Sequence, residues 1–225
     1  MDYLIAVMLM FNGYLSQTQL LKPTYTRDVI PNNISTKEKK ARFLYLILPP
    51  TQNVHKELMQ RYLKIADDIK YLRNLKEIEA LKVEYRASSD EDLLARLKPH
   101  PVSITLAQAA MESSWATSRF FIEANNVFGI WSKNPKDKRI AAGERRGGKL
   151  TIWLRKFDTI DDSIRTYYEL MSKGKAFGKF RKLRLETDDP FVITQGLDKY
   201  SEIGQDYIDE INDVIRHNNF TQYDN

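Results

Sequence analysis

Between Pro101 and Gly129 the chain contains no glycine or proline, and in the middle of that run stands Glu112, flanked by alanine, serine, methionine and tryptophan. A stretch this free of breakers is confined to regular structure, and the spacing of its apolar residues decides which kind. Ile104, Ala107, Met111 and Trp115 (or Ser114) recur every three to four residues, which predicts an amphipathic helix with one core-facing stripe. Pro101 suits the first position of that helix, where its missing N–H would have had no partner. Glu112 lies beside the stripe, with Gln108, Ala109, Trp115 and Ala116 as its neighbours three and four positions away. Small side chains and an indole are a poor setting for a merely solvated glutamate.

At 225 residues and 42% hydrophobic content, the chain can bury one sizeable core, with room for an N-terminal annex. It has no cysteine, which excludes a disulfide scaffold and thiolate chemistry. His55, His100 and His217 are too scattered for a zinc motif and read as surface or internally satisfied residues, so neither metal nor cofactor is expected. The net charge of +5 is concentrated downstream of Glu112: Lys133 to Lys156 carries nine Lys or Arg against two acids, and a second basic cluster follows from Lys173 to Glu186. Such clusters suit an anionic partner in a cleft or serve as solvated surface charge.

At the N-terminus, Tyr3 to Phe11 is an unbroken apolar run. It is too short for a membrane-spanning helix, which needs about 20 residues, and has the length of the apolar region of an export signal or of a buried helix. Residues 16–35 read as a polar tether. Ser35 or Thr36 can cap a helix over KEKKARFLYLILPP that is expected to stop at Pro49-Pro50. A second helical pattern runs from about Asn53 to Tyr85 through Val54, Leu58, Tyr62, Ile65, Ile69, Leu72, Leu75, Ile78 and Leu81. Ser89 and Asp92 can start a third helix that ends before Pro99.

The segments AQAAMESSWATSRF (107–120) and NNVFGIW (125–131) resemble the signature of the glucosaminidase family of peptidoglycan hydrolases. That resemblance implies a mainly α, lysozyme-like helical domain with a small β-hairpin at the cleft and an N-terminal helical extension. It implies Glu112 as the catalytic acid, and Asn126, Phe128, Gly129 and Ile130 as the turn that opens the cleft. The family pattern has glycines on both sides of the tryptophan, where this chain has Ser114 and Ala116. KKARFLYLILPP and DEDLLARL resemble the N-terminal extension of Bax-type members of the family. The expected division is 1–35 export signal and tether, 36–98 helical extension, and 99–225 glucosaminidase domain.

After Trp131 the pattern changes. Gly147-Gly148 precedes an alternation of Leu150, Ile152 and Leu154 with Thr151, Trp153 and Arg155, the sequence form of a β-hairpin with Glu144 on its first arm. Asp158 and Thr159 can cap a helix with Ile164, Tyr167, Tyr168 and Met171 inward, and Asp188-Asp189-Pro190 marks another helix start. GLDKYSEIGQDYIDEINDVIRHNNF (196–220) is similar to the family's closing motif, with Ser201 to Asp206 replacing its Thr-Asp-Pro. By that resemblance Tyr200 lines the active site. Tyr207 is read either as a substrate contact or as packing for the last helix.

Glycoside cleavage needs a proton donor at the leaving oxygen and a group that stabilises or captures the oxocarbenium-like centre. Apolar surface beside Glu112, with Trp115 and Phe128 as candidates, would raise its pKa and suit it to be the donor. The second role falls to Glu144, or to the substrate's own acetamido group oriented by Tyr200. The remaining substrate-binding candidates are Trp115, Asn126, Phe128, Trp131 and Tyr207. The expected activity is hydrolysis of the β-1,4 bond after N-acetylglucosamine in peptidoglycan, at a periplasmic or cell-envelope location. The rivals are a lytic transglycosylase using the same glutamate and a catalytically silent glycan-binding protein with Trp131, Trp153 and Tyr200 as its platform. Nucleic acid is not an expected partner, because the basic residues accompany no recognisable nucleic-acid module.

Overall fold

The computed structural model describes residues 25–30, 33–143 and 152–224. Its helices are α1 (Thr36–Lys70), α2 (Leu75–Tyr85), α3 (Asp90–Leu97), α4 (Val102–Glu112), α5 (Arg119–Ala124), α6 (Ile160–Lys173), α7 (Gly178–Glu186), α8 (Pro190–Ile193) and α9 (Gln205–His217). Two short strands, β1 (Arg139–Ala141) and β2 (Trp153–Arg155), lie between α5 and α6 and pair antiparallel, Ile140 opposite Leu154. The expected turn of this hairpin at Gly147-Gly148, together with Glu144 on its expected first arm and Arg145, Arg146 and Lys149, lies outside the described residues, as does the apolar run at 3–11.

Helix starts follow local chemistry. Ser35 and Glu38 form a reciprocal capping box on α1, as Thr159 and Asp162 do on α6, and Ser89 accepts from the Asp92 amide on α3. Each satisfies amides that the first helical turn leaves without partners. Asp189 caps α8, and Pro190 follows at its first position.

Two expectations about the N-terminal half are corrected. Helix α1 does not stop at Pro49-Pro50 but runs through both to Lys70. The carbonyls that lose amide partners belong to Tyr45, which is exposed, and Leu46, which is half-buried, while Phe43, Ile47, Thr51 and Val54 keep an unbroken buried face. Burial of that face outweighs the cost of the prolines, and Thr51 returns a hydroxyl hydrogen bond to Ile47 O at 2.7 Å. The pattern from Asn53 to Tyr85 is not one helix either. It turns at Tyr71–Asn74, where Leu72 and Asn74 adopt left-handed φ angles of 52° and 50°. Leu72 and Leu75 are accordingly exposed rather than part of the stripe.

Helix α4 is the centre of the molecule. It packs against α1, α9 and a 3-10 turn at Phe220–Tyr223. It is also not the one-sided amphipathic helix that the periodicity predicts, because every residue from Val102 to Ala110 is buried, including Ser103, Thr105 and Gln108. Pro101 offers no side-chain cap, so the cap comes from the other end of the chain: Ser103 N–H donates to Asp224 Oδ1 at 2.7 Å. A second cluster, Ile65, Ile78, Leu81, Tyr85, Leu93 and Leu97, joins the end of α1 to α2 and α3.

Candidate active site

Glu112 is the last residue of α4, and the chain reverses immediately behind it. Ser113 Oγ donates back to Ala109 O and accepts from Ala116 N at 2.8 Å, while Trp115 N donates to Ala110 O at 2.7 Å. Ser114, Trp115 and Ala116 all have positive φ, at 52°, 63° and 59°. This is the left-handed region that favours glycine. The turn is held from outside. Arg42, fully buried on α1, donates to Ala116 O at 2.6 Å and to the carbonyls of Thr26 and Arg27. The residues 26–27 that the sequence placed in a tether are thus bound against α1. Trp115 packs edge-on to Phe43 with 5.2 Å between centroids, and Lys40 Nζ sits 5.0 Å from its ring.

The Glu112 side chain stays open to solvent on one side and meets α9 on the other. Tyr207 donates its hydroxyl to Glu112 Oε1 at 3.2 Å, and the Tyr200 ring stacks on Tyr207 at 5.2 Å with 14° between planes. Burial pushes the Glu112 carboxyl above its ordinary pKa, and the hydrogen bond from Tyr207 pulls the other way. A helix C-terminus, which carries partial negative charge, likewise favours the protonated acid. Burial raises the pKa of both tyrosines, with the nearby Glu112 charge adding to it, so both hydroxyls keep their protons.

The residues assigned from the sequence divide into four sets. Glu112, Tyr200 and Tyr207 come together. Gly204, at a φ of 55°, is the residue before α9 and permits the turn between the two tyrosines without the Thr-Asp-Pro of the family pattern. Asn126, Phe128 and Trp115 pack inside the protein. Asn126, 1% exposed, clips the turn by accepting from Ile130 N and donating to Ile130 O and Arg155 O, all within 2.9 Å. Phe128, 6% exposed, stacks on Tyr167 at 4.0 Å. Both side chains are buried and hold the turn at 126–130 in place. Trp131 is exposed, beside β2, where it bridges to Leu154. Glu144 lies outside the described residues.

Sequence reasoning did not find the polar residues behind Tyr207. Gln108 Nε2 donates to Tyr207 Oη at 3.1 Å, and Gln108 Oε1 accepts from the Tyr167 hydroxyl. His100, read as a satisfied or surface residue, is completely buried beside Tyr167. The apolar periodicity of α6 correctly turned Tyr167 inward but carried no sign of its polar partner.

The chain is 29% identical over 129 residues to the exo-glucosaminidase LytG of Bacillus subtilis, covering 54% of this chain and 45% of that protein. It is 28% identical over 121 residues to protein Bax of Escherichia coli, covering 51% and 42%. The chain thus spans less than half the length of these curated relatives. Its fold is similar to that of the catalytic domain of the autolysin Auto from Listeria monocytogenes, with a TM-score of 0.55, 18% identity, and coverage of 90% of this chain and 100% of that one. Among the described residues no helix is long and apolar enough to cross a membrane. Residues 91–220, more than half of the chain and inclusive of Glu112, Tyr200 and Tyr207, match the mannosyl-glycoprotein endo-beta-N-acetylglucosaminidase family, and this mainly α, lysozyme-like chain belongs to that family of glycosidases.

Proposed function

We propose that this chain hydrolyses the β-1,4 glycosidic bond after N-acetylglucosamine in peptidoglycan, with Glu112 as the general acid. The observation that carries the reading is the state of Glu112: a carboxyl at a helix end, raised in pKa by burial, open on one side, with one oxygen held by a neutral tyrosine. Such a group retains its proton nearer to neutral pH than a solvated glutamate and can deliver it to the leaving glycosidic oxygen. In this reading Glu112 protonates that oxygen as the bond to the anomeric carbon breaks. Positive charge then develops on the sugar ring and is captured by the substrate's acetamido oxygen, with the Tyr200–Tyr207 stack orienting that group, or offset by Glu144 as a second carboxylate, and water adds at the anomeric carbon while its proton returns to the Glu112 carboxylate. Trp131 offers an exposed aromatic face to a sugar ring, and the basic residues around β1 and β2 suit the acidic stem peptides. A peptidoglycan substrate would put the protein in the cell envelope.

Digestion of purified peptidoglycan followed by muropeptide analysis tests this directly. The expected products end in reducing N-acetylglucosamine. Anhydro-muramyl products would replace the reading with a lytic transglycosylase, and wall binding without products would leave a glycan-binding protein.

A further inference from the structure

The donors and acceptors behind Glu112 can be assigned in order, because one end of the series can only donate. Arg184 on α7 is 1% exposed and has no carboxylate partner among the hydrogen bonds of the described residues. Its Nε donates to Ala95 O at 3.2 Å, its Nη2 to Arg96 O at 2.8 Å and Ser172 Oγ at 3.4 Å, and its Nη1 faces His100 Nδ1 at 3.4 Å. Burial pulls the guanidinium down to about 9, still protonated at neutral pH, so Nδ1 of His100 must accept. Burial and the Arg184 charge hold His100 well below its ordinary pKa, so the ring is neutral and its hydrogen sits on Nε2. Two hydroxyls lie 3.0 Å from Nε2, those of Thr105 and Tyr167. Thr105 donates onward to Tyr168, and Tyr168 to His100 O, which closes that branch on itself. Tyr167 accepts from His100 and donates to Gln108 Oε1, which turns the Gln108 amide hydrogens toward Tyr207. Tyr207 then accepts from Gln108 and has one hydrogen left to give, and Glu112 Oε1 receives it.

We propose, on the reading of Glu112 as general acid, that Gln108 and Tyr167 are positioning residues: a one-way hydrogen-bond chain from Arg184 through His100, Tyr167 and Gln108 commits the Tyr207 hydroxyl to Oε1 of Glu112 and reserves Oε2 for the transferred proton. Bonds in such a chain polarise one another, so each link strengthens the last. The titratable and charged groups around it are Arg184 and Arg181 on α7, Arg96 on α3, Tyr167 and Tyr168 on α6, His55 on α1, Asp224 beyond α9, Tyr200 in the turn before α9 and Tyr207 on it. Losing the hydroxyl of Tyr167 frees the Gln108 amide to rotate and offer its oxygen to Tyr207, which draws that hydrogen away from Glu112. The carboxylate is then less stabilised, and its proton is held more tightly.

The test is titration of Glu112 by NMR in the whole chain labelled with ¹³C at glutamate Cδ, the signal being assigned by its absence in Glu112→Gln. Tyr167→Phe, which keeps the ring stacked on Phe128, and Gln108→Met should both move the Glu112 titration to higher pH. Tyr168→Phe removes an equally buried hydroxyl from the closed branch and should leave the titration at its parent position. If Tyr167→Phe does not fold, Gln108→Met carries the comparison. Parent-like titration in folded Tyr167→Phe or Gln108→Met, or an equal shift in Tyr168→Phe, overturns the chain. The readout needs no turnover, so a parent protein without lytic activity would remove the functional reading while the chain is still judged on the titration alone.

Discussion

The annex around α2 and α3 and the body around α4 are both helical and both close on apolar side chains, yet they treat polarity in opposite ways. In the annex, Ile65, Ile78, Leu81, Leu93 and Leu97 pack with Tyr85, and the charges stay at the rim: Lys82 pairs with Glu79 and Asp90, and Lys173 with Glu84 and Glu169. Asp68, buried at the end of α1, is held by Lys64 and Asn74. The body instead buries Gln108, Thr105, His100, Arg184 and Arg42. Each such group costs free energy unless its partners are arranged. The annex thus closes on apolar side chains, while the body retains polar groups in the direction of one carboxyl. The difference teaches where to look for chemistry.

The largest effect that would break this contrast is at Glu112. Glu112→Gln keeps the shape and removes the transferable proton, so lytic activity on peptidoglycan should fall by about 10²- to 10⁴-fold. Stability should not fall with it. The raised pKa means the folded state favours protonated Glu112, so its contribution is full at acid pH and is lost as pH rises through the folded pKa. Glutamine avoids that loss, so the Tm of Glu112→Gln should match the parent at low pH and equal or exceed it at neutral pH. Parent-like lysis by this variant would remove the distinction between the two regions.

Leu93→Ala, in the annex, should show the reverse. A fully buried leucine is replaced by a cavity, which costs about 2–5 kcal/mol in denaturant unfolding, while activity per folded molecule is kept. A comparable loss of activity at constant folded fraction would join annex and site into one functional unit.

A smaller effect sharpens the comparison within the body. Ser114→Gly combined with Ala116→Gly should stabilise the protein by about 1 kcal/mol in urea unfolding, because glycine relieves two left-handed residues at some cost in unfolded-state entropy. Destabilisation would show that the side chains at these positions contribute more than the backbone strain costs. The smallest effect belongs to the rim of the annex: Lys82→Met removes the pairs to Glu79 and Asp90 and should lower the urea midpoint least of these variants, a difference that vanishes in high salt.

Much of the architecture was legible because it is set by neighbours in sequence. The capping residues Ser35, Ser89, Thr159 and Asp189 and the inward face of α6 follow from residues within a few positions of one another, and the pairing of the two strands follows from the pattern of one continuous stretch, 139 to 155. The helix carrying Glu112 was legible for the same reason, together with the breaker-free run and its family resemblance. Legibility failed where a distant surface overrode a local rule. Pro49 and Pro50 predict a stop, but the buried face of α1 holds the helix together across them. Ser114 and Ala116 are poor left-handed residues, yet Arg42 and Phe43 hold the turn that they form.

By itself, then, the sequence determined the capped starts of α1, α3, α6 and α8 and the placing of Glu112 on a helix, since each rests on spacing and caps that act over one or two turns. Only the tertiary structure decided what Glu112 touches. Tyr207 reaches it across 95 positions of sequence, and Tyr167 meets Gln108 across 59. The start of α4 is capped by Asp224 from 121 positions away. No periodicity registers such pairings, because a hydrogen bond between distant residues leaves its partners looking, in sequence, like any other inward-facing tyrosine, glutamine or aspartate.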